Sequence, residues 1–170
     1  VLEQLKVAEL QDYFQDECVS KGTSQATPLE SLDPKTAVFY PILLPKRTEL
    51  LLTLPDGIHQ VVVPVGSEEL GKLVLEFRQN LQTGTHNRFA KQAQQLYDWL
   101  IVPFRDKLVT NHINTLVVIP DGPLRTIPLA ALYNGETKKF LIEEFAMAMT
   151  PGLTLTTPRP LARTDVSILI

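Results

Sequence analysis

Val7, Leu10, Phe14 and Cys18 fall at spacings of three, four and four, with Glu3, Lys6, Glu9, Asp12 and Asp16 mostly off that line. A period near 3.6 gathers the apolar set on one face and predicts a helix from about Leu2 to Val19. Lys21 to Pro34, rich in Ser, Thr, Gly and Pro, reads as a connector. Two β-branched and leucine-rich runs follow, Thr36–Leu44 and Arg47–Leu54, parted by Pro45-Lys46. A Pro-Asp-Gly turn at Pro55–Gly57 then leads into a third run, Ile58–Pro64. Short strands with tight turns between them predict an antiparallel meander. Pro41 lies inside the first run, and proline cannot donate to a ladder, so that run is expected to be an edge strand or to carry a bulge.

Beyond the meander the period changes. Ser67 is placed to cap a helix, and Glu68 and Glu69 follow in its first turn, where carboxylates complement the helix dipole. Leu70, Leu73, Val74, Phe77 and Leu81 carry a helical stripe to the region of Gly84. A second helix is predicted from Phe89, Ala93, Leu96 and Leu100, with Trp99 beside the stripe and Pro103 expected to kink it or restart it. Thr115–Ile119 then reads as a buried strand running into a Pro120-Asp121-Gly122 turn. Pro128 precedes the apolar Leu129-Ala130-Ala131-Leu132, Asn134-Gly135 marks a turn, and Phe140–Met149 reads as a second strand-like run. Asp165–Ile170, DVSILI, has the composition of a further strand. The sum is an α/β chain in the order helix, antiparallel meander, two helices, then strands of a core sheet. It has no internal repeat, and the tetratricopeptide pattern is absent.

Length and composition narrow the picture only a little. A chain of 170 residues suits one domain or a piece of a larger one, and 44% apolar with 21% charged residues is the make-up of a globular core. A formal charge of −3 gives no general reason to expect nucleic acid, which would want a clustered basic face. No apolar run is long enough for a membrane span and the first twenty residues do not form a signal peptide, so a soluble, cytoplasmic protein is expected. The chain opens directly into a helical pattern at Val1 and closes on an unprotected hydrophobic strand, and both ends are read as boundaries of a fragment.

The candidate chemistry is sparse. Cys18, the single cysteine, is flanked by Glu17 and Val19 on the apolar face of the first predicted helix. Nothing beside it in sequence would lower a thiol pKa, so it reads as a small buried hydrophobe. His59, His86 and His112 lack the short spacing of a ligand pair, and no metal is expected. Asp56 and Asp121 each sit between a proline and a glycine, which is how turns are built. Arg125 follows the turn where a strand ends, a common place for sites in α/β sheets, although a surface or ion-paired arginine is the plainer reading. Lys46, Arg47, Lys138, Lys139, Arg159 and Arg163 form no basic run longer than two, and no glycine-rich phosphate loop occurs. No catalytic, cofactor-binding or metal-ligating residue is assigned.

One block is more specific. Pro120, Asp121, Gly122, Leu124, Arg125, Ile127, Pro128, Ala130, Ala131 and Leu132 stand in order, followed by Leu141-Ile142-Glu143 and Thr150-Pro151-Gly152-Leu153. This series resembles the CHAT family, caspase-like domains usually attached to tetratricopeptide repeats, and especially its cyanobacterial-type members. More loosely, Glu9–Phe14 with Cys18 resembles the opening helix of such domains, Tyr40–Pro45 their first strand, Gln95–Pro103 their long helix, and Pro160–Arg163 a later segment. The resemblance implies that residues 1–170 are the amino-terminal portion of one such domain, truncated at both ends. It implies a cysteine peptidase whose histidine precedes a glycine and whose cysteine lies in a Ser-Ala-Cys-type stretch. His59, His86 and His112 are followed by Gln60, Asn87 and Ile113, so both catalytic residues are expected after Ile170 and this chain alone is expected to be inactive. Whether the parent is an enzyme stays open. The alternative is a non-enzymatic interaction module, with the Thr36–Pro64 meander and the helix around Trp99 as its docking surface. The partners implied are the repeats or other domains of the same protein and a protein or peptide substrate for the whole domain. A dimer through the 165–170 edge is a further expectation.

Overall fold

The computed structural model describes Gln4, Ala8 and residues 33–83 and 88–153. Gln4 and Ala8 are helical; the rest of the predicted first helix, with Val7, Leu10, Phe14 and Cys18, lies outside the described residues, as do His86 and the DVSILI segment. The chain divides into two compact units, Pro28–Pro151 and a second made of Val1–Thr27 with Gly152–Ile170. The sheet and the helices packed on it belong to the first.

The meander forms as the short runs and tight turns predict. Strands β1 (Thr36–Leu43) and β2 (Thr48–Leu54) pair antiparallel, and the Leu44 N–H donates to the Arg47 carbonyl at 2.9 Å to close the Pro45-Lys46 turn. Strand β3 (Gly57–Val63) returns antiparallel to β2 after Pro55-Asp56, in unbroken register from Leu54↔Gly57 to Thr48↔Val63. Along β2 every second residue is buried, so Thr48, Leu50, Leu52 and Leu54 look to the core.

Helix α1 (Ser67–Gln82) buries Leu70, Val74 and Phe77, and helix α2 (Arg88–Leu100) packs against it. Pro103 ends the second helix as predicted: a 3₁₀ turn, Val102–Phe104, follows, and helix α3 (Arg105–Thr110) restarts from it. Strand β4 (Thr115–Val118) then lies parallel to β1, pairing Thr36↔Thr115 through Phe39↔Val118. Next come the short hairpin β5 (Tyr133–Asn134) and β6 (Lys139–Phe140) and the one-turn helix α4 (Leu141–Glu144). Strand β7 (Ala146–Met149) is parallel to β4, giving the order β3-β2-β1-β4-β7. One continuous apolar cluster joins Ala37, Phe39, Leu50 and Leu116 of the sheet to Leu70, Phe77 and Leu96 of the helices. Phe39 meets the edge of Phe104 at 6.3 Å between ring centres, a favoured aromatic geometry. The architecture is α/β with a five-stranded mixed sheet, the class expected from the sequence and consistent with a caspase-like CHAT fragment.

Three local expectations are corrected. The run containing Pro41 is neither an edge strand nor bulged, since β1 lies between β2 and β4 in unbroken register with β2. The phase of the ladder explains the tolerance. Leu44 bonds toward β2, so Pro41 turns its nitrogen the other way, and pairing with β4 stops at Phe39. The missing N–H therefore falls where no described strand accepts it. Ser67 does not cap α1 but is its first residue; Gly66 stands at the cap, without a side-chain bond. Phe140–Met149 is not one strand, because Leu141–Glu144 turns helical between β6 and β7.

Thr48 is the buried polar member of β2, and its hydroxyl donates to the Val65 carbonyl at 2.8 Å. Thr48→Val keeps the shape and strands that carbonyl. We expect a loss of about 1 kcal/mol in urea-unfolding stability; an unchanged midpoint would show that the hydroxyl bond contributes nothing.

Candidate functional site

Strands β1, β4 and β7 run parallel and end on the same edge of the sheet, where sites of α/β proteins tend to lie. The chain leaves β4 there. Ile119 N–H donates to the Phe39 carbonyl at 2.9 Å, Gly122 takes φ of 47°, and a 3₁₀ turn over Gly122–Thr126 follows. A left-handed φ of this kind suits glycine, as the Pro-Asp-Gly reading requires. Asp121 does more than build the turn. Its Oδ2 accepts the Leu43 N–H at 3.3 Å, so the turn is tied to the far end of β1. Arg125 donates Nε to the Pro120 carbonyl at 3.2 Å and sets Nη2 3.8 Å from Asp121 Oδ1. It is the ion-paired arginine of the plainer reading.

A second polar group was not foreseen. Glu144, from α4, meets Arg105 at the start of α3 in a two-pronged pair, Nη1 to Oε2 at 2.8 Å and Nη2 to Oε1 at 3.1 Å. Tyr97 of α2 donates its hydroxyl to Glu144 Oε2 at 3.1 Å and accepts a short bond from Arg105 Nη1. Asn134 of β5 donates Nδ2 to the Tyr97 oxygen at 3.0 Å and to Glu144 Oε1 at 3.2 Å. Thr137 adds a hydroxyl bond to Oε1 at 2.9 Å. The Asn134 side-chain oxygen accepts the N–H groups of Glu136 at 2.9 Å and Thr137 at 3.2 Å, closing the β5–β6 turn.

The electrostatics follow from this geometry. Burial pushes the Glu144 carboxyl up, but the bonds from Arg105, Thr137 and Tyr97 and the charge of Arg105 outweigh it and hold the group below its ordinary value. Burial and the neighbouring Glu144 charge push the Tyr97 phenol up to about 12. At neutral pH the group is therefore a carboxylate, a guanidinium and a neutral phenol. Both Glu144 carboxylate oxygens are already engaged, so the cluster has no idle acceptor for a reacting proton. It clamps α2, α3, the β5–β6 hairpin and α4 together. No short-range sequence signal announces it: Tyr97, Arg105, Asn134 and Glu144 share no helical or strand period, and Asn134 reads locally as a turn residue.

The remaining candidates do not converge. His59 on β3 is 2.8 Å from Asp56, whose carboxyl that bond holds below its ordinary value. His112 follows α3 with φ of 53°. Cys18 and His86 lie outside the described residues, which contain no cysteine. Among the described residues no group of three or more His, Cys, Asp or Glu could hold a metal ion, and no helix is long and apolar enough to cross a membrane. No curated protein matches the chain. The turn at the end of β4, the clamp, and the parallel pairing of β4 with β7 all fall within residues 90–169, the part of the chain that the model of the CHAT domain matches.

Proposed function

We propose that this chain is the amino-terminal scaffold portion of a caspase-clan domain of the CHAT type, working in the cytoplasm, and that alone it cleaves no peptide. The observation that carries this reading is the CHAT match over residues 90–169, which takes in the Pro120–Leu132 block and both parallel strands after α3. The parallel half of the sheet supports it, because β1, β4 and β7 all end on the edge where α/β proteins seat their chemistry. Cysteine peptidase chemistry needs a thiolate and a histidine within hydrogen-bond reach, with donors for the oxyanion. Here the dyad would be supplied by sequence after Ile170, the scaffold would hold it, and the tetratricopeptide repeats or other domains of the same protein would deliver the signal.

The test compares this chain with the product of the whole reading frame on a pool of fluorogenic peptides, with and without a thiol alkylator. We expect no cleavage by residues 1–170 and alkylation-sensitive cleavage by the longer protein. Cleavage by the 170-residue chain, lost in Cys18→Ala, would overturn the proposal. A second reading, a non-enzymatic interaction module, draws support from the exposed apolar side chains of Ile58 and Val62 on the meander. It takes over if the longer protein is folded and shows no thiol-dependent cleavage.

A further inference from the structure

Among the described residues the sheet ends at β3, and this edge carries none of the features that usually block pairing. Gly57–Val63 has no Asp, Glu, Lys, Arg or Pro, and its register with β2 runs without a bulge. Ile58 is 66% and Val62 51% exposed, and Gln60 between them is exposed too. An added Cβ at Gly57 would meet nothing within 4 Å. Among the described residues the strand is open along its length.

The ladder phase fixes which backbone groups it offers. The Leu44–Arg47 bond sets Glu49, Leu51 and Thr53 toward β1, which leaves Thr48, Leu50, Leu52 and Leu54 bonding to Val63, Val61, His59 and Gly57. Ile58, Gln60 and Val62 therefore turn their N–H and C=O groups outward. These are the same three residues whose side chains are exposed. In an antiparallel ladder two outward-facing residues must meet as a bonded pair. A copy of the strand related by a twofold axis through Gln60 satisfies this at every position: Ile58 faces Val62 of the copy, Gln60 faces Gln60, and Val62 faces Ile58.

We infer that β3 is a self-pairing edge and that this chain forms an isologous dimer through it, joining two five-stranded sheets into one of ten. The chemistry across the seam is self-consistent. Apolar meets apolar at Ile58 and Val62, Gln60 faces Gln60 with each amide held by Glu49 of its own chain at 2.8 Å, and no like charges oppose each other. At each end the Asp56 turn of one chain comes beside the Pro64 end of the other. Arg47 stands there, immediately before Thr48, the residue opposite Val63; it is paired with Glu49 and Asp56 with His59, so the ends add no like-charge contact to the seam. Pro64, lacking an N–H, closes the ladder at both ends. The inference does not depend on the CHAT reading, and an inactive chain dimerises in the same way.

The experiment is sedimentation or light scattering of the full 170-residue chain across a concentration series at neutral pH, with two double variants at the exposed positions. Ile58→Lys with Val62→Lys sets lysine against lysine across the axis. Ile58→Glu with Val62→Lys sets glutamate against lysine there, and the introduced lysine also stands opposite Glu49 within its own chain. We expect a dimer mass for the wild type and the Glu/Lys variant, and at least about a tenfold rise in dissociation constant for the Lys/Lys variant. Circular dichroism of both variants checks that the fold is kept. A monomeric wild type at all concentrations overturns the proposal. So does a Lys/Lys variant that dimerises as the wild type does, which would place the contact elsewhere. If both variants are monomeric while the wild type is a dimer, the Gln60-centred pairing is wrong.

Discussion

Glu144→Ala should cost about 3 kcal/mol of stability, at the low end for breaking a buried ion pair because Arg105 keeps some contact with water. The side chains are 10% exposed for Glu144 and 25% for Arg105. Removing the carboxylate strands a guanidinium, a buried phenol and a buried amide together. Each of Arg105, Tyr97 and Asn134 aims at least one donor at an oxygen that would no longer exist. Glu144→Gln should cost less, since an amide oxygen still accepts from Arg105. Urea titration of the three proteins gives the answer, and a Glu144→Ala midpoint equal to wild type would reduce the clamp to a bystander. The pH dependence has a definite sign. The folded carboxyl titrates below its ordinary value of 4.5, so its contribution is complete above that pH and is lost as pH falls through the lower, folded value. The gap between wild type and Glu144→Gln should therefore be constant near neutrality and shrink below about pH 4.5. A gap that widens on acidification would contradict the assigned charge states.

Gly66→Ala should be the second most damaging change, at about 2 kcal/mol, in the range found when a well-packed site is overfilled. The reason is not backbone freedom, for Gly66 has φ of −80° and ψ of 165°, which any residue adopts. It is space. A Cβ there would collide with the Pro45 carbonyl oxygen and lie 3.1 Å from the carbonyl carbon and 3.3 Å from Lys46 Cα. All three are backbone atoms, which cannot swing aside as a side chain can. Ser67 N–H also donates to the Leu44 carbonyl at 2.9 Å, so the start of α1 is pinned to the β1–β2 turn. Relief would require moving the helix off the turn. Calorimetry of Gly66→Ala against Gly71→Ala makes the comparison, because a Cβ at Gly71 meets only the Pro123 ring, at 3.7 Å. Equal melting temperatures for the two would refute the steric account.

The legible part of this fold was the part written in local periods. Leu70, Val74 and Phe77 recur as a helical face that the structure buries, and the leucine-rich run Arg47–Leu54 supplies β2. Turn chemistry was legible as well, at Pro55–Gly57 and Pro120–Gly122, since proline and glycine dictate backbone angles wherever they stand. Pro41 misled because a proline's cost depends on which neighbour its nitrogen faces, and that neighbour, β4, lies far along the chain. Ser67 misled by one residue, since the close approach to Pro45 demands glycine at the cap itself. The clamp was illegible for a deeper reason. Its members come from four elements, and hydrogen bonds between distant side chains leave no mark on local composition. The CHAT resemblance pointed to Leu141-Ile142-Glu143, yet the glutamate that joins the clamp is Glu144, while Glu143 accepts the Phe140 N–H at 2.7 Å.

Strand β1 has antiparallel β2 on one side and parallel β4 on the other. The first partner arrives through a short turn, whereas the second must bring Thr115 back to Thr36. Loop-closure entropy rises with the length of chain enclosed, and folding slows as pairing becomes less local. The two seams of this one strand therefore belong to different stages of assembly. The hairpin side closes within a short stretch of chain; the β4 side is a docking step whose loop encloses α1, α2 and α3.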